Sequence, residues 1–311
     1  MAMCLVTGGA GFIGSHLVDA LVARGDRVRV LDNLSSGHLE NLSQSIDRIE
    51  FIEGDVRDEA ALRQATAGVE DIFHLAAMVS VPESMEKPVE AELINAVGTL
   101  RLLNVAKAAG GRRLVLSSTC AVYGDEPTLP KIESMPPHPK SPYAISKLTA
   151  EAYCQLFNEA YGLETAILRY FNVFGPRQDP ASAYSGVISI FVDRMSRQAE
   201  LSIHDDGHQT RDFVFVGDVV RANLLAAAAP GAAGKVFNIG TGRQVTINQL
   251  FEALRRILKF ELRPDYKPAR SGDIKHSYAN PALAQAVLGW SAQVSFEAGL
   301  KQLVESVRVA A

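Results

Sequence analysis

A short apolar run, a glycine-rich turn and a helical pattern follow one another at the start of the 311-residue chain. The run is Met3–Thr7, the turn contains Gly8, Gly11 and Gly14, and the helical pattern covers Ser15–Arg24. A helix N-terminus presents unpaired N–H groups and the positive end of its dipole, and a turn without Cβ atoms lets a pyrophosphate approach closely. This order predicts a dinucleotide-binding turn.

An acidic residue supports that interpretation. A second apolar run, Val28–Leu31, ends at Asp32. A carboxylate at this strand end can accept both hydroxyls of the adenosine ribose and would repel a 2′-phosphate. A glycine triplet alone is a weak signal, because glycine turns between strands and helices are common for packing reasons. Together with the flanking strand, helix and acid, it favours NAD over NADP.

Strand and helix patterns alternate as far as about Arg169. Further strand patterns lie at Ile49–Glu53, Asp71–Leu75, Arg113–Ser117 and Glu164–Arg169, and long helical patterns at Pro88–Ala109 and Pro142–Tyr161. Strands separated by helices of this length imply right-handed crossovers and a parallel sheet. We therefore predict an α/β fold with a Rossmann-type, doubly wound parallel sheet.

The regular alternation of strand and helix patterns ends after about Phe171, where shorter segments rich in Gly, Pro and charged residues interrupt it. Phe213–Val216 and Val236–Ile239 return to a strand-like pattern. Thr246 opens a capping box, and Asn280 followed by proline is typical of a helix start. We predict an NAD-binding domain at 1–171, to which segments near 213–245 return, and a smaller, discontinuous C-terminal α/β substrate lobe at 172–311.

Composition excludes several classes of protein. The chain is 47% hydrophobic and 21% charged, with a formal charge of −4, so nothing points to nucleic acid. No apolar stretch reaches spanning length, and Met1 leads directly into the first strand, leaving no room for a signal peptide. Three scattered cysteines indicate neither a disulfide framework nor a metal site. We expect a cytoplasmic protein without metal.

In parallel sheets ligands bind outside the carboxyl ends of the strands. The predicted strand ends should therefore face one cleft, and they are Gly8, Asp32, Asp55, Ala77, Thr119 and Tyr170.

Tyr143 and Lys147 stand four residues apart at the start of the second long helix, so their side chains share one face. A phenol near its reference pKa of about 10 is a poor base at neutral pH. Lys147 and the positive nicotinamide ring of NAD are expected to lower the pKa of Tyr143. The Thr119 hydroxyl could share the proton and hold the substrate oxygen. This set suits removal of a proton from an alcohol while a hydride leaves its carbon.

The chain resembles the extended short-chain dehydrogenase/reductases along essentially its whole length, in their nucleotide-sugar branch, and is most similar to UDP-hexose 4-epimerases. The motifs that carry the resemblance are T-G-G-A-G-F-I-G at Thr7–Gly14, D-N-L at Asp32–Leu34, G-D-V at Gly54–Val56, H-L-A-A at His74–Ala77, S-S-T-C-A-V-Y-G at Ser117–Gly124, S-P-Y-A-I-S-K at Ser141–Lys147, R-Y-F-N-V-F-G-P-R-Q at Arg169–Gln178, R-D-F-V-F-V-G-D-V at Arg211–Val219, N-I-G-T-G at Asn238–Gly242 and R-S-G-D at Arg270–Asp273.

The resemblance implies a tightly held NAD and a reaction in which Tyr143, Lys147 and Thr119 are catalytic. The C4 hydroxyl of a UDP-sugar is oxidised, the 4-keto sugar turns over, and reduction from the other side inverts C4. The cofactor-binding residues that it implies are Gly8, Gly11, Phe12, Ile13, Gly14, Asp32, Asn33, Asp55, Val56, Leu75, Ala76, Ala77, Asn95, Ser117, Tyr143, Lys147 and Tyr170.

The resemblance also assigns a substrate site. It implies that Asn172, Arg211 and Arg270 meet the pyrophosphate and that Asp273 meets the uridine ribose. Epimerases limited to glucose and galactose resemble one another in a bulky tyrosine where this chain has Ser277, so we expect acetylated sugars to be accepted as well. The complete predicted set is Thr119, Tyr143, Asn172, Gly186, Val187, His204, Arg211, Arg270, Asp273 and Ser277.

Cys120 and Ala121 stand where related dehydratases and decarboxylases have acids, which favours an epimerase. We interpret Cys120 as a small packing residue rather than a nucleophile, and His74 as a packed strand histidine. The two long helices are expected to form a four-helix bundle in a homodimer, as in relatives.

Three alternatives stay open at this point. One is a UDP-uronate 4-epimerase, since no cationic site for C6 decides the matter. Another is a nucleotide-sugar reductase, which would exchange NAD(P)H with solvent. A third is a non-catalytic dinucleotide sensor, although such a sensor can dispense with the proton-transfer residues found here.

Overall fold

The computed structural model describes residues 2–179, 186–269 and 274–310. Strands lie at Met3–Thr7 (β1), Arg27–Asp32 (β2), Ile49–Glu53 (β3), Asp71–His74 (β4), Arg113–Thr119 (β5), Glu164–Tyr170 (β6), Asn172–Phe174 (β7), Ser202–His204 (β8), Thr210–Arg211 (β9), Phe213–Phe215 (β10), Lys235–Ile239 (β11), Val245–Thr246 (β12) and Asp265–Lys267 (β13). Helices lie at Phe12–Ala23 (α1), Glu59–Thr66 (α2), Val81–Glu86 (α3), Pro88–Glu92 (α4), Gly98–Ala108 (α5), Pro142–Tyr161 (α6), Val187–Ser196 (α7), Val216–Ala228 (α8), Ile247–Leu258 (α9), Ala282–Leu288 (α10) and Phe296–Ala310 (α11).

A seven-stranded parallel sheet forms the centre of the molecule, in the order β11-β6-β5-β4-β1-β2-β3. From β1 the chain proceeds outward through β2 and β3 on one side, and then through β4, β5 and β6 on the other. This order confirms the predicted doubly wound α/β fold. The carboxyl ends of β1 and β4 flank the point of reversal, where such sheets bind their ligands.

Three apolar clusters hold the elements together. One face of the sheet packs against α1, α8 and α10, and the other against α2, α5 and α6. The third cluster joins α7, α9 and α11 to β7, β8 and β10. Phe12 and Ile13 at the start of α1 pack against this third cluster as well, so α1 contacts both the main sheet and the third cluster.

Several elements differ at their ends from the sequence prediction. Helix α1 begins at Phe12 instead of Ser15, because the extended Gly11 is already its N-cap. The helix predicted at Pro88–Ala109 contains a π-helical turn at Leu93–Val97 between α4 and α5.

Two predicted strand-like segments lie in different sheets. Val236–Ile239 lies in β11 and joins the main sheet beside β6. Phe213–Val216 contains β10, which pairs only with β7 in a separate two-stranded sheet. The capping box at Thr246 opens α9 as predicted. Helix α10 begins at Ala282, whose N–H donates to the Asn280 side chain at 3.0 Å.

Within the described ranges, no helix is both long and apolar enough to cross a membrane. Nor do the described histidine, cysteine and acidic side chains gather in any group of three that could hold a metal ion.

Candidate active site

The glycine turn after β1 leaves no room for side chains. Gly8 has a φ of +70°, and a Cβ there would lie 2.6 Å from the backbone nitrogen of Ala76. A Cβ on Gly14 would lie 2.1 Å from the carbonyl oxygen of Gly8. Gly11, the N-cap of α1, supplies no side-chain cap, so no cap side chain occupies the first N–H groups of the helix. These features fit a pyrophosphate at the helix N-terminus.

Asp32 is fixed at the end of β2 by two backbone donors. The N–H groups of Ala10 and Leu34 each donate to its carboxylate at 2.9 Å. The side chain is 7% exposed, and burial raises its pKa, although both hydrogen bonds oppose that shift. Each carboxylate oxygen has a second lone pair for a ribose hydroxyl. The arrangement fits the adenosine half of NAD.

Asp55 follows β3 and is held by hydrogen bonds from Arg57 and from Asn33, the residue after Asp32. The Asn33 amide donates to Asp55 at 2.8 Å, and Arg57 donates through Nε at 2.9 Å and Nη2 at 2.7 Å. The hydrogen bonds from Arg57 are the main reason that the pKa of Asp55 falls to about 2. Sequence reasoning did not select Arg57, although it follows the G-D-V motif directly. The neighbouring Val56 is buried.

The loop after β4 closes the other side of the turn. Leu75 and Ala76 lie against Gly8, and Ala77 follows them. Asn95 is 1% exposed; its amide accepts from the Met78 N–H at 2.8 Å and donates to the Met78 carbonyl at 3.0 Å. It also donates to Ser146 of α6 at 3.0 Å. Asn95 therefore shapes this loop through contacts within the protein.

Thr119, Tyr143 and Lys147 come together at the junction of β5 and α6. The Thr119 side chain lies beside the phenol of Tyr143 and favours its ionised form. Lys147 is 4% exposed, and its Nζ donates to the Ser117 carbonyl at 2.7 Å. Ser141, the N-cap of α6, accepts the N–H of Ala144 at 3.2 Å and so starts the helix at this point.

The acid–base properties differ from the sequence expectation. Burial raises the pKa of Tyr143 to about 12, and the neighbouring Thr119 only partly opposes this. Burial also lowers the pKa of Lys147 to about 8, against the attraction of Glu151. In the protein chain without NAD, desolvation of the phenolate outweighs the stabilising groups around it, and the expected lowering of the Tyr143 pKa stays a prediction for the NAD-bound enzyme.

A buried ion pair lies one helical turn beyond Lys147. Glu151 accepts from Arg169 Nε at 3.0 Å and Nη2 at 2.7 Å, and from the Ser118 hydroxyl. The Arg169 guanidinium lies 4.8 Å from the centre of the Tyr123 ring. These contacts connect α6 to the carboxyl ends of β5 and β6, next to Thr119. Sequence reasoning missed Glu151, because it lies on α6 and its partners, Ser118 and Arg169, lie on β5 and β6.

Other predicted residues pack inside the protein. The Tyr170 hydroxyl donates to the Asn223 side chain at 3.0 Å, and burial raises its pKa. His74 lies between the hydroxyls of Thr7, at 2.7 Å, and Thr99, at 2.9 Å. Burial lowers the pKa of His74 to about 3, as suits a packed, neutral imidazole.

The substrate residues predicted on the second lobe reach the same edge from separate segments. Asn172 begins β7, and Arg211, in β9, donates to the Thr210 carbonyl at 2.8 Å. The Ser277 side chain lies against the Cys120 thiol, directly beside Thr119. Burial raises the pKa of that thiol to about 11, which disfavours a nucleophilic thiolate.

Gly186 is the N-cap of α7 and Val187 its first residue. His204 ends β8, where its Nδ1 lies 3.2 Å from the Pro268 carbonyl. The predicted Arg270 and Asp273 lie outside the described residues.

Comparison with known proteins agrees with this geometry. The model of the NAD dependent epimerase/dehydratase family matches residues 4–240. The UDP-glucose 4-epimerase of Mycolicibacterium smegmatis is 41% identical over 308 residues, which cover 98% of each chain.

Two solved structures are similar over nearly the full length. The UDP-glucose 4-epimerase of Thermotoga maritima, solved with UDP-glucose, is 44% identical, with a TM-score of 0.95 and 99% of each chain covered. The UDP-N-acetylglucosamine 4-epimerase of Methanobrevibacter ruminantium M1, solved with UDP-N-acetylmuramic acid, is 38% identical, with a TM-score of 0.95 and coverage of 100% of this chain and 99% of that one. The predicted family, the NAD cofactor and an epimerase activity are thereby confirmed, and the chain belongs to the NAD-dependent epimerase/dehydratase family.

Proposed function

We propose that the protein is a UDP-sugar 4-epimerase that inverts C4 through a 4-keto intermediate. The observation that carries this proposal is the placement of the Tyr143 phenol beside Thr119 at the carboxyl edge of the sheet, the edge that also holds the glycine turn. The full-length similarity to 4-epimerases from Thermotoga maritima and Mycolicibacterium smegmatis supports it.

NAD, when bound, supplies the acceptor for the C4 hydride and a positive charge that favours the phenolate. Tyr143 removes the proton of the 4-hydroxyl, while Thr119 holds the sugar oxygen. The 4-keto sugar then turns about its pyrophosphate, and Tyr143 returns the proton to the oxygen at the inverted centre. Because burial alone raises the pKa of Tyr143 to about 12, we expect this base to work only in the holoenzyme.

Each unit of pKa corresponds to about 1.4 kcal/mol, so a shift of several units needs strong positive charge close by. Lys147 contributes to that field while it is protonated, and with a pKa of about 8 it is half deprotonated near pH 8. The residues that would hold NAD line the edge from α1 to α6, and they are Gly8, Gly11, Phe12, Ile13, Gly14, Asp32, Asn33, Asp55, Val56, Leu75, Ala76, Ala77, Ser117, Tyr143 and Lys147.

Arg211 and Arg270 are the proposed diphosphate ligands, because each guanidinium can bind two oxygens. Asn172 lies near Arg211 through the pairing of β7 with β10, which follows β9 almost directly. Asp273 is proposed for the uridine ribose on the strength of the resemblance alone.

Sugar preference is proposed to depend on Ser277. Its small side chain lies against Cys120, next to Thr119, so the wall near the reacting oxygen consists of small groups. We propose that a 2-acetamido group is accepted, as the Methanobrevibacter ruminantium neighbour's description as a UDP-N-acetylglucosamine 4-epimerase supports.

Replacing Ser277 by a larger residue tests this proposal. Ser277→Tyr should lower kcat/KM for UDP-GlcNAc at least about tenfold more than for UDP-Glc, because the larger ring fills the space for the acetamido group. A Ser277→Ala variant is the matched control and should keep both activities. Equal loss of the two substrates in Ser277→Tyr would contradict the assignment.

One experiment separates the candidate functions. The purified protein is incubated with UDP-Glc, UDP-GlcNAc and UDP-GlcA separately, without added cofactor, and the products are identified by NMR. We expect the 4-epimers of the first two. Conversion of UDP-GlcA alone would instead indicate a uronate epimerase, and consumption of added NADPH a reductase.

We also propose a homodimer. Helices α4 and α6 expose apolar side chains, including Val89 at 71%, Ile145 at 49% and Leu156 at 47% exposure. Two copies of this face could form a four-helix bundle. Sedimentation should then give twice the chain mass; a monomer at micromolar concentration would contradict the proposal.

The free thiols of Cys4, Cys120 and Cys154 suit a reducing compartment, and we propose the cytoplasm.

A further inference from the structure

Two sequence motifs meet at one buried carboxylate to which the mechanism gives no task. Asp212, in the R-D-F motif, is completely buried. Its Oδ1 accepts from the N–H of Thr241 at 2.8 Å and from the hydroxyl of Thr241 at 2.6 Å. Its Oδ2 accepts from the N–H of Gly242 at 2.9 Å and from the N–H of Ala279 at 3.0 Å. The carboxylate thus joins its own segment to the N-I-G-T-G motif and to the segment that contains Ala279.

Two of the joined segments contain a proposed substrate residue. Arg211 directly precedes Asp212, and Ser277 lies two residues before Ala279. The backbone carbonyl of Asp212 accepts the N–H of Asn172 at 3.0 Å. Asn172, Arg211 and Ser277 come from distant parts of the chain. The side chain and the backbone of Asp212 together hold them in fixed relative positions.

The N-I-G-T-G motif leaves the space that this arrangement requires. A Cβ on Gly240 would lie 2.7 Å from Asp212 Oδ2 and 2.8 Å from the Cβ of Ala279. Any larger residue at Gly240 would displace the carboxylate or the Ala279 segment. Burial raises the pKa of Asp212, and its four hydrogen bonds oppose that shift.

We propose that Asp212 is a positioning residue that fixes the nucleotide-sugar subsite by setting the relative places of Asn172, Arg211 and Ser277. This inference rests on the proposed function, in which these residues bind the UDP-sugar. Asp212 itself does not touch the reacting atoms. Its loss should weaken substrate binding and leave the cofactor site, which lies on other elements, intact.

The test compares two buried aspartates. Asp212→Asn places an NH2 group against N–H donors and should raise the KM for UDP-Glc and the calorimetric Kd for UDP about 10- to 100-fold. The value of kcat should fall much less, and the NAD content per protomer should stay at the parent level. Thr241→Val removes a single donor and should raise both constants by about threefold to tenfold. It keeps the inference testable if Asp212→Asn does not fold.

Asp218→Asn is the matched control. Asp218 is also buried and accepts two backbone N–H groups, from Gln293 and Val294, each at 3.0 Å, and neither partner belongs to the proposed substrate residues. It should lower the melting temperature and leave the Kd for UDP unchanged.

The outcomes distinguish this inference from the proposed function. A parent protein that binds no UDP would overturn the proposed function and remove the basis of the inference. A parent that binds UDP, with a folded Asp212→Asn or Thr241→Val variant that binds it equally well, would overturn the inference alone. Equal weakening by Asp218→Asn would also overturn it, because the effect would then follow from general loss of stability.

Discussion

Strands β5 and β6 have a buried arginine paired with a glutamate at each end, and the two ends differ in what surrounds the pair. At the amino ends, Arg113 lies 2.5 Å from Glu164. Arg113 also donates to carbonyl oxygens at the end of α8, including those of Ala226, at 3.0 Å, and Ala229, at 2.6 Å. These contacts join the amino ends of β5 and β6 to the end of α8, and they involve none of the proposed site residues.

At the carboxyl ends the pair is Arg169 and Glu151, with only 5% and 3% of their side chains exposed. Here the connections continue into Ser118, next to Thr119, and along α6 to Lys147. The same type of ion pair therefore lies among structural contacts at one end of the sheet and beside the proposed catalytic residues at the other. The direction of the parallel strands determines which end meets the ligand.

The largest expected effect belongs to the carboxyl end. Tyr143→Phe should lower kcat about 10²- to 10⁴-fold, because the group that transfers the proton is lost. Tyr161→Phe, at the far end of the same helix, is the control and should keep parent activity. Product formation from UDP-Glc, followed by NMR, measures both. A Tyr143→Phe enzyme within threefold of the parent would show that the phenol is not the base.

Glu151→Gln should have the next largest effect. It leaves Arg169 buried without its counter-charge, so the free energy of unfolding should fall by about 3–5 kcal/mol in urea titrations. Turnover should fall as well, because Lys147 and Thr119 lose their support. A Glu151→Gln/Arg169→Met double variant should regain most of the stability. If it also regained full turnover, the ion pair would have no part in organising the site.

The smallest effect is expected at the amino end. Glu164→Gln should lower the free energy of unfolding by no more than about 1 kcal/mol, since the Glu164 side chain is 44% exposed and Arg113 keeps its carbonyl partners. Both kcat and KM for UDP-Glc should stay unchanged. A kinetic effect as large as that of Glu151→Gln would remove the distinction between the two ends.

Local patterns were enough to predict much of the fold. The apolar runs and glycine turn of the first half predicted β1, β3 and α6 with the bounds found in the structure. The spacing of Tyr143 and Lys147 predicted their common face, since that spacing is a property of any helix.

Features that depend on tertiary packing were not predicted. The segment containing β10 has the apolar composition of a core strand, yet it pairs with β7 outside the main sheet. The raised pKa of Tyr143 follows from its burial, to which several elements contribute. The partners of Asp212 lie 29 to 67 residues further along the chain, so no local spacing reveals them.

The central claim is that C4 is oxidised and reduced again within one site, with Tyr143 moving the proton. The most direct test uses UDP-Glc that carries deuterium on C4. The reaction is run in ordinary water without added cofactor, and the deuterium content at C4 of the product is measured. We expect UDP-Gal that retains deuterium at C4. Replacement of that deuterium by solvent hydrogen in the product would contradict the claim.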